Sequence, residues 1–560
     1  MFTPFRSLFR KEILRDDAIA GLVLGVQSIP DGLAGGLLAG VNPVYGLYAY
    51  MFGMFSSAFA TSSVFMTVQA TGAMAAVIAD VPQVHYGADP SRALFTLSLL
   101  TGIVMLAAGL LKLGSILRFV SNSVMVGFLS AVGINIVLGQ LNAFTGYNAA
   151  GYNRLSRALD LLLHPFAIHP STITIGIATI VLILLLERTR LGALGMVVAV
   201  IVTSAAVPLL GSGVALLKDF AEIPNGLPLP TLPMLQAIPD LILPAFSLAF
   251  IGLVQGAGIS ANFPNPDGTY PDASRDFIGQ GVGNLVSGIF QGMPVGGSMS
   301  ATALIKTAKS KSPMCQILAA VYMAVVILLF GNFVGYIAMP ALAGLLIIIG
   351  VRTVKPERIF SAWKTGRVQA VVMFTTLVLT ILIPLQYAVV VGIGISMILY
   401  VVYHSNDLVL KRFVLEEGKV RQFDPPQEVP AGEVIVLQPF GSLFFASATK
   451  FEKALPTVTA RSRNSVIILR LRGRTDLGST LTDIFARFAR SLQAVNSRLV
   501  IVTDSQRVLD QLAVTGVTDL IGQDNIYISN EWIGKMARQA YDDACQWVLT
   551  HRGDDAGCGT

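Results

Sequence analysis

From about Ile13 to His404 the chain is a succession of apolar runs, punctuated by Gly, Pro and single charges. Several of these runs are long enough to cross a bilayer, among them Arg92–Leu113, Phe119–Leu138, Ser171–Leu186, Gly192–Leu210, Ile242–Ser260, Ser312–Phe333, Gln369–Ile383 and Gln386–Tyr403. Roughly 20 apolar residues span the hydrocarbon core as a helix. Lipid offers the backbone no partner, so a spanning segment bonds within itself. Only 13% of the residues are charged, where soluble domains carry about 25%. The chain reads as an α-helical polytopic membrane protein.

Two apolar runs are short and open on polar residues. One begins Thr67-Val68-Gln69-Ala70-Thr71-Gly72 and ends at Asp80; the other begins Pro294-Val295-Gly296-Gly297-Ser298-Met299-Ser300-Ala301 and ends near Lys306. At 1.5 Å per residue neither crosses ~30 Å of hydrocarbon as a helix. Counting them gives 14 membrane segments, with the short ones third and tenth, at matching places in two halves of seven. Paired short segments interrupted by Gly or Pro point to a transporter binding site. The plainer reading of each is a re-entrant plug or a full span read short.

Charge asymmetry fits this count. With the N-terminus inside, nineteen Lys and Arg fall at cytoplasmic ends, Arg6, Arg10, Arg118 and Arg190 among them, and only Arg92, Arg154, Arg157 and Lys218 fall outside. That is a positive-inside pattern, and it accounts for the net charge of +6 without a nucleic-acid partner. The localisation expected is the cell's inner (plasma) membrane, multi-pass, with both termini cytoplasmic. Met1 to Asp17 is a charged amphipathic lead-in, and the apolar stretch behind it is too long for a cleaved signal peptide. The three cysteines and five histidines show no metal or disulfide spacing. No cofactor, no metal and no enzymatic nucleophile–base pair is read.

The first apolar segment carries Gln27-Ser28-Ile29-Pro30-Asp31-Gly32 near its middle. An acidic residue there is costly, by roughly 2.5–3.5 kcal/mol on insertion scales. Pro30 and Gly32 are expected to weaken the helix and free backbone groups. Asp31 has three readings: a proton carrier, since desolvation favours the neutral acid; a ligand for a cation such as sodium; or an acceptor for backbone freed at Pro30. Helix N-termini attract anions, so Gln69-Ala70-Thr71-Gly72 and Gly297-Ser298-Met299-Ser300-Ala301 form the candidate anion site, built from dipoles and neutral donors. The competing reading of these small residues is close helix packing. Asp80 and Asp276, near segment ends, read as solvated or capping residues.

Past Asp407 the composition turns polar. The organisation expected is a transmembrane domain over 1–410, a linker over 411–430, a cytoplasmic α/β domain over 431–550 and a disordered tail over 551–560. Strands are predicted at Val434–Pro439, Val466–Leu471 and Leu499–Thr503, and helices at Ser447–Leu455, Ser479–Val495 and Arg507–Thr515.

Three stretches carry a family resemblance. Asp17-Ala18-Ile19-Ala20-Gly21, Ile29-Pro30-Asp31-Gly32-Leu33-Ala34 and Leu38-Ala39-Gly40-Val41-Asn42-Pro43-Val44-Tyr45-Gly46-Leu47-Tyr48 resemble the opening signature of the SulP (sulfate permease) family, which includes prestin. Asn284-Leu285, Gly288-Ile289-Phe290-Gln291-Gly292-Met293-Pro294 and Ser298-Met299-Ser300 resemble its ninth and tenth segments. Gly441-Ser442-Leu443-Phe444-Phe445-Ala446 resembles the start of a STAS domain. The resemblance implies a seven-plus-seven inverted repeat, with a core of segments 1–4 and 8–11 moving against a gate of segments 5–7 and 12–14. It also implies a homodimer, and an anion held between the starts of segments three and ten. Asp31 falls where bacterial members attribute proton coupling to an acidic residue.

The chain also departs from the family pattern. Ala301 stands where many animal members have Arg. Gln255 stands where many relatives have an acid, so a sodium site is not expected there; with Gln27 it forms a secondary polar site. Asp476-Leu477-Gly478-Ser479-Thr480-Leu481 stands where Asp-Ser-Thr-Gly is common, and Ser479 matches the serine phosphorylated in related anti-sigma antagonists. The function read is proton-coupled symport of a small inorganic or carboxylate anion: sulfate, bicarbonate or dicarboxylate. The alternatives are an uncoupled exchanger or channel-like conductor, a nucleobase permease, and a membrane-anchored regulator acting through a cytoplasmic protein partner of the STAS domain.

Overall fold

The computed structural model describes residues 11–114, 122–151, 153–189, 191–192, 194–209, 213–220, 226–416, 419–528 and 535–551. Arg6, Arg10, Arg118, Arg190, most of the N-terminal lead-in and the tail from Arg552 lie outside them. The chain divides into two compact units, Met1–Ser396 and Met397–Thr560.

The first unit is helical. Its membrane segments, with the end of the last one passing into the second unit, are α1 (Lys11–Leu38), α2 (Pro43–Ser57), α3 (Gly72–Ile78), α4 (Pro90–Leu110), α5 (Asn122–Thr145), α6 (Pro170–Leu186), α7 (Leu194–Ala205), α8 (Ile238–Asn262), α9 (Ala273–Ile289), α10 (Met299–Thr307), α11 (Met314–Val334), α12 (Met339–Thr353), α13 (Arg367–Leu382) and α14 (Leu385–Asn406). These are the fourteen segments counted from the sequence, and α3 and α10 are the short ones. Local chemistry sets the starts. Asn42 and Asp89 cap α2 and α4, each followed by a Pro whose missing N–H costs nothing there.

The polar stretch in the first segment does not break it. α1 runs unbroken from Lys11 to Leu38 with Pro30 inside. Pro30 deprives the Val26 carbonyl of one helix bond. Gly32 serves packing instead: a Cβ there would stand 3.1 Å from the Leu47 Cα, and one on Gly46 would stand 2.1 Å from the Gly32 carbonyl oxygen. The backbones of α1 and α2 therefore touch.

Glycine contacts also sort the helices. A Cβ on Gly21 of α1 would meet the Cys315 carbonyl of α11 at 2.7 Å, and one on Gly102 of α4 would meet the Gly281 carbonyl of α9 at 2.9 Å. On α5, Gly133 would meet the Gly350 carbonyl of α12 at 2.6 Å and Gly127 the Met373 carbonyl of α13 at 2.3 Å. Lipid is as apolar as leucine, so close backbone approach takes over the role of hydrophobic drive. The first set of contacts joins segments expected to form the core, and the second joins segments expected to form the gate.

The second unit carries a six-stranded sheet in the order β4-β3-β5-β6-β7-β8: β3 (Val409–Glu416), β4 (Lys419–Phe423), β5 (Val434–Phe440), β6 (Val466–Arg470), β7 (Arg498–Thr503) and β8 (Ile526–Ile528). β3 pairs antiparallel with β4 and β5, and β5 to β8 run parallel. The expected linker over 411–430 is therefore in large part a hairpin that extends the sheet. The Lys and Arg of β4 suit an edge strand, where charge discourages stray pairing. On one face Ile435, Leu437, Ile467, Leu469 and Ile501 pack under α15 (Ala448–Ala454), α16 (Gly478–Gln493), α17 (Gln506–Val514) and α18 (Val517–Ile521). On the other, Val436, Val466, Ile468, Val500 and Val502 meet Ala540, Ala544 and Val548 of α19 (Lys535–His551). Ser479 is exposed in the first turn of α16. Nearby, Asp476 is bonded by Gln511 Nε2 (2.7 Å) and paired with Arg507 (2.8 Å). The Gln511 hydrogen bond, ahead of the Arg507 charge, holds this carboxyl below the usual range.

Candidate anion site between two half-helices

Each half-helix is led in by a three-residue strand, β1 (Thr67–Gln69) before α3 and β2 (Gly296–Ser298) before α10. The strands pair antiparallel, with Thr67 opposite Ser298, Val68 opposite Gly297 and Gln69 opposite Gly296. An antiparallel ladder sends its two chains off at opposite ends. The helices thus leave in opposite directions, with their N-termini turned toward the same short ladder. Thr71 Oγ1 caps α3 by accepting the Met74 N–H at 3.3 Å. Ser298 Oγ caps α10 by accepting the Ala301 N–H at 3.4 Å, and lies 3.2 Å from Ser300 Oγ. The amides of Gly72, Ala73, Met299 and Ser300 have no intrahelical acceptor by position. Thr71 and Gly72 are half-buried, whereas Met299 and Ser300 are exposed.

Not every residue of the candidate set is free to meet a ligand. The Gln69 Nε2 donates to Ser28 Oγ (2.7 Å) and to Met54 Sδ (3.2 Å), and the Ala70 carbonyl accepts from Tyr50 Oη (2.9 Å). The Gly297 N–H donates to Gln280 Oε1 at 3.0 Å. Ala301 is buried behind its cap. The groups with donors left are the Thr71 hydroxyl, one hydroxyl of the bonded Ser298–Ser300 pair and the first amides of the two helices.

Asp31 and Gln27 lie one turn apart on α1, joined by a 3.5 Å contact from Gln27 Nε2 to Asp31 Oδ2. Asp31 Oδ1, Gln27 Oε1 and Gln255 Oε1 are shielded from solvent and have no hydrogen-bond partner. Buried polar groups normally have partners; with Gln280 Nε2 and Gln316 Oε1 these make five orphans in the membrane unit, and they call for an explanation. No hydrogen bond among the described residues joins Asp31 to either half-helix. On the same helix as Asp31, Ser28, the chain neighbour of Gln27, holds Gln69. Gln255 sits beside Gly256, whose Cα lies 3.0 Å from where a Gly297 Cβ would be.

One group of residues was given no positioning role by the sequence, although Asn284 falls in the ninth-segment motif. Gln280, Asn284 and Ser287 form one buried stripe of α9 and hold the chain entering α10. Asn284 takes the Val295 N–H (2.9 Å) and donates to its carbonyl (2.6 Å); Ser287 donates to the Met293 carbonyl (2.9 Å). The signal was their i, i+4, i+7 spacing on a helix otherwise rich in Gly. Asp276, expected to be solvated or capping, is instead fully buried in the first turn of α9, where Asp272 is the cap; it holds the chain at Ser62 and Ser63. Its Oδ1 accepts from Ser62 N (2.7 Å), Ser62 Oγ (2.9 Å) and Ser63 N (3.0 Å), and its Oδ2 from Ser260 Oγ (2.7 Å). Asp80 at the end of α3 pairs with Arg154 at 2.8 Å.

Two half-helices paired in an inverted repeat, with a discontinuous backbone lining a polar site, define the architecture of a multi-pass membrane transporter. Residues 14–376 match the model of the sulfate permease family, and residues 427–531 match the STAS domain. The chain belongs to the sulfate permease family of anion transporters. A protein of Mycobacterium tuberculosis named a probable sulfate transporter is 23% identical over 530 residues, covering 93% of this chain and 95% of its own. The murine anion transporter Slc26a9, solved in its inward-facing state, superposes with a TM-score of 0.82 at 18% identity, over 97% of this chain and 93% of that one. The transmembrane domain of the cyanobacterial bicarbonate transporter BicA does so with a TM-score of 0.59 at 22% identity, over 70% of this chain and 98% of its own. Both structures share the fold.

Proposed function

We propose that this protein is a proton-coupled symporter of a small inorganic or carboxylate anion, drawn from sulfate, bicarbonate and dicarboxylates. It works by alternating access, with the anion held between the openings of α3 and α10 by Thr71, Gly72, Ser298 and Ser300. The observation that carries the reading is the orphaned Asp31 Oδ1 on α1, one helical turn from Gln27, whose chain neighbour Ser28 bonds Gln69 in the lead-in of α3. A carboxylate there opposes an anion, and a protonated acid does not. Loading a proton on Asp31 together with the anion leaves a carrier with less net charge to move between its two faces.

The site offers no Lys or Arg among its residues, which favours weak and reversible binding. Gln255, in place of an acid, supports proton rather than sodium coupling. The reading places both termini in the cytoplasm of a cell's inner membrane, in a homodimer, with the STAS unit acting in regulation through a protein partner. The family likeness and the positive-inside pattern support these assignments.

The test is uptake into proteoliposomes with and without an inward proton gradient. The wild type concentrates its anion as external pH falls. Asp31→Asn keeps exchange but loses the response to the gradient. Gradient-driven accumulation by Asp31→Asn overturns the coupling role.

A further inference from the structure

We propose that the helix Pro356–Thr365 is an interfacial element that binds the headgroups of anionic phospholipids. The helix joins α12 to α13, with two residues, Val354 and Lys355, on one side and Gly366 on the other. Both neighbours are membrane helices, so the connection fixes its depth at the bilayer surface. Its inner side is Ala362, packed with Val126 of α5 and Met373 of α13, with Ile359 beside them. Its outer side shows Phe360 and Trp363 at 64% and 61% exposure. A buried small residue on one side and two exposed aromatic rings on the other mark a helix lying in the interface, where Trp partitions.

The charge around the rings selects the lipid. Lys355, Arg358, Lys364 and Arg367 are exposed and make no ion pair among the described residues, and Glu357 is the one acid between them. Arg352, one turn earlier, is different: it is committed to Glu187 at 2.8 Å. Phe360, Lys364, Glu357, Ser361 and Thr365 line an open hollow of about 420 Å³. Unpaired cations beside membrane-facing rings fit phosphate-bearing headgroups with net negative charge. Neutral lipid serves the rings equally well and leaves the cations unanswered.

Trp363 reports on this directly. The chain has three tryptophans, so full-length protein carrying Trp532→Phe and Trp547→Phe leaves it as the probe. The protein goes into vesicles of phosphatidylcholine and phosphatidylglycerol, with the bromine quencher on the chains of one lipid or the other at equal mole fraction. Quenching by both lipids is expected, stronger on the order of twofold from phosphatidylglycerol. The excess falls away in about 1 M salt, where the Debye length is ~3 Å. It also falls away when Lys355, Arg358, Lys364 and Arg367 are all changed to Gln, while quenching by phosphatidylcholine persists. Equal quenching by the two lipids, or an excess unmoved by salt, overturns the proposal. Absence of quenching by either lipid leaves the face to a protein partner and overturns it too.

Discussion

Asp31 was legible because a carboxyl inside an apolar run has few uses. The residues that position the site were not. Gln280, Asn284 and Ser287 sit on a Gly-rich helix, where small and polar residues also serve plain helix packing. Only the fold shows that they bond the backbone of residues 293–297. Gly297 and Gly256 give this scaffold a sharp test. A Cβ on Gly297 would meet the Gly256 Cα at 3.0 Å and its N at 3.2 Å, backbone against backbone. Overpacking of this kind costs about 1–3 kcal/mol. Gly297→Ala is expected to lower the melting temperature in detergent and the uptake rate together. Gly256→Ala presses instead on Gln280 Nε2, at 2.1 Å, and is expected to act through the Gln280–Gly297 bond. If both variants melt and transport as wild type, the α8–β2 contact is not tight.

At the scale of elements, the half-helices were visible as runs too short to span. The ladder between them was not, because a strand of three residues leaves no alternation to read. Gly72→Trp and Ser300→Trp are expected to abolish uptake in protein that still elutes as a folded species. Normal uptake in both would remove the site from the gap. A second element-scale prediction concerns the short helix Arg154–Leu163, which lies between α5 and α6, two segments of the expected gate. Its Arg154 reaches Asp80 at the end of α3, a segment of the expected core. A half-buried pair of this kind is worth on the order of 1 kcal/mol, or about fivefold in an equilibrium. If the core moves against the gate, the pair weights one conformation. Arg154→Ala should shift the transport rate a few-fold, and the exchange Asp80→Arg with Arg154→Asp should restore it. An unchanged rate in the single variants would show that the contact survives the transport cycle.

For the whole molecule, the division into a membrane unit and an α/β unit was legible from composition, and the fourteen segments from their apolar runs. The hairpin β3–β4 was missed because a charged edge strand looks like a linker. That matters for truncation. A cut near Lys419 would strip β4 from β3, so the cleaner boundary is the end of α14, at Asn406. Removal of the chain beyond Asn406 is expected to reduce expression or rate and to leave the order of preference among anions unchanged. A truncated protein that folds and prefers a different anion would place the STAS unit in the permeation path.

The central claim is coupling of anion and proton through Asp31. Uptake of radiolabelled sulfate, bicarbonate and dicarboxylate into proteoliposomes, with an inward pH gradient imposed and then collapsed by a protonophore, tests it most directly. The account predicts that at least one of these anions is accumulated above equilibrium by the wild type, that the protonophore abolishes the accumulation, and that Asp31→Asn equilibrates the anion without accumulating it. Accumulation by Asp31→Asn under the same gradient, or uptake by the wild type indifferent to the gradient, would contradict it.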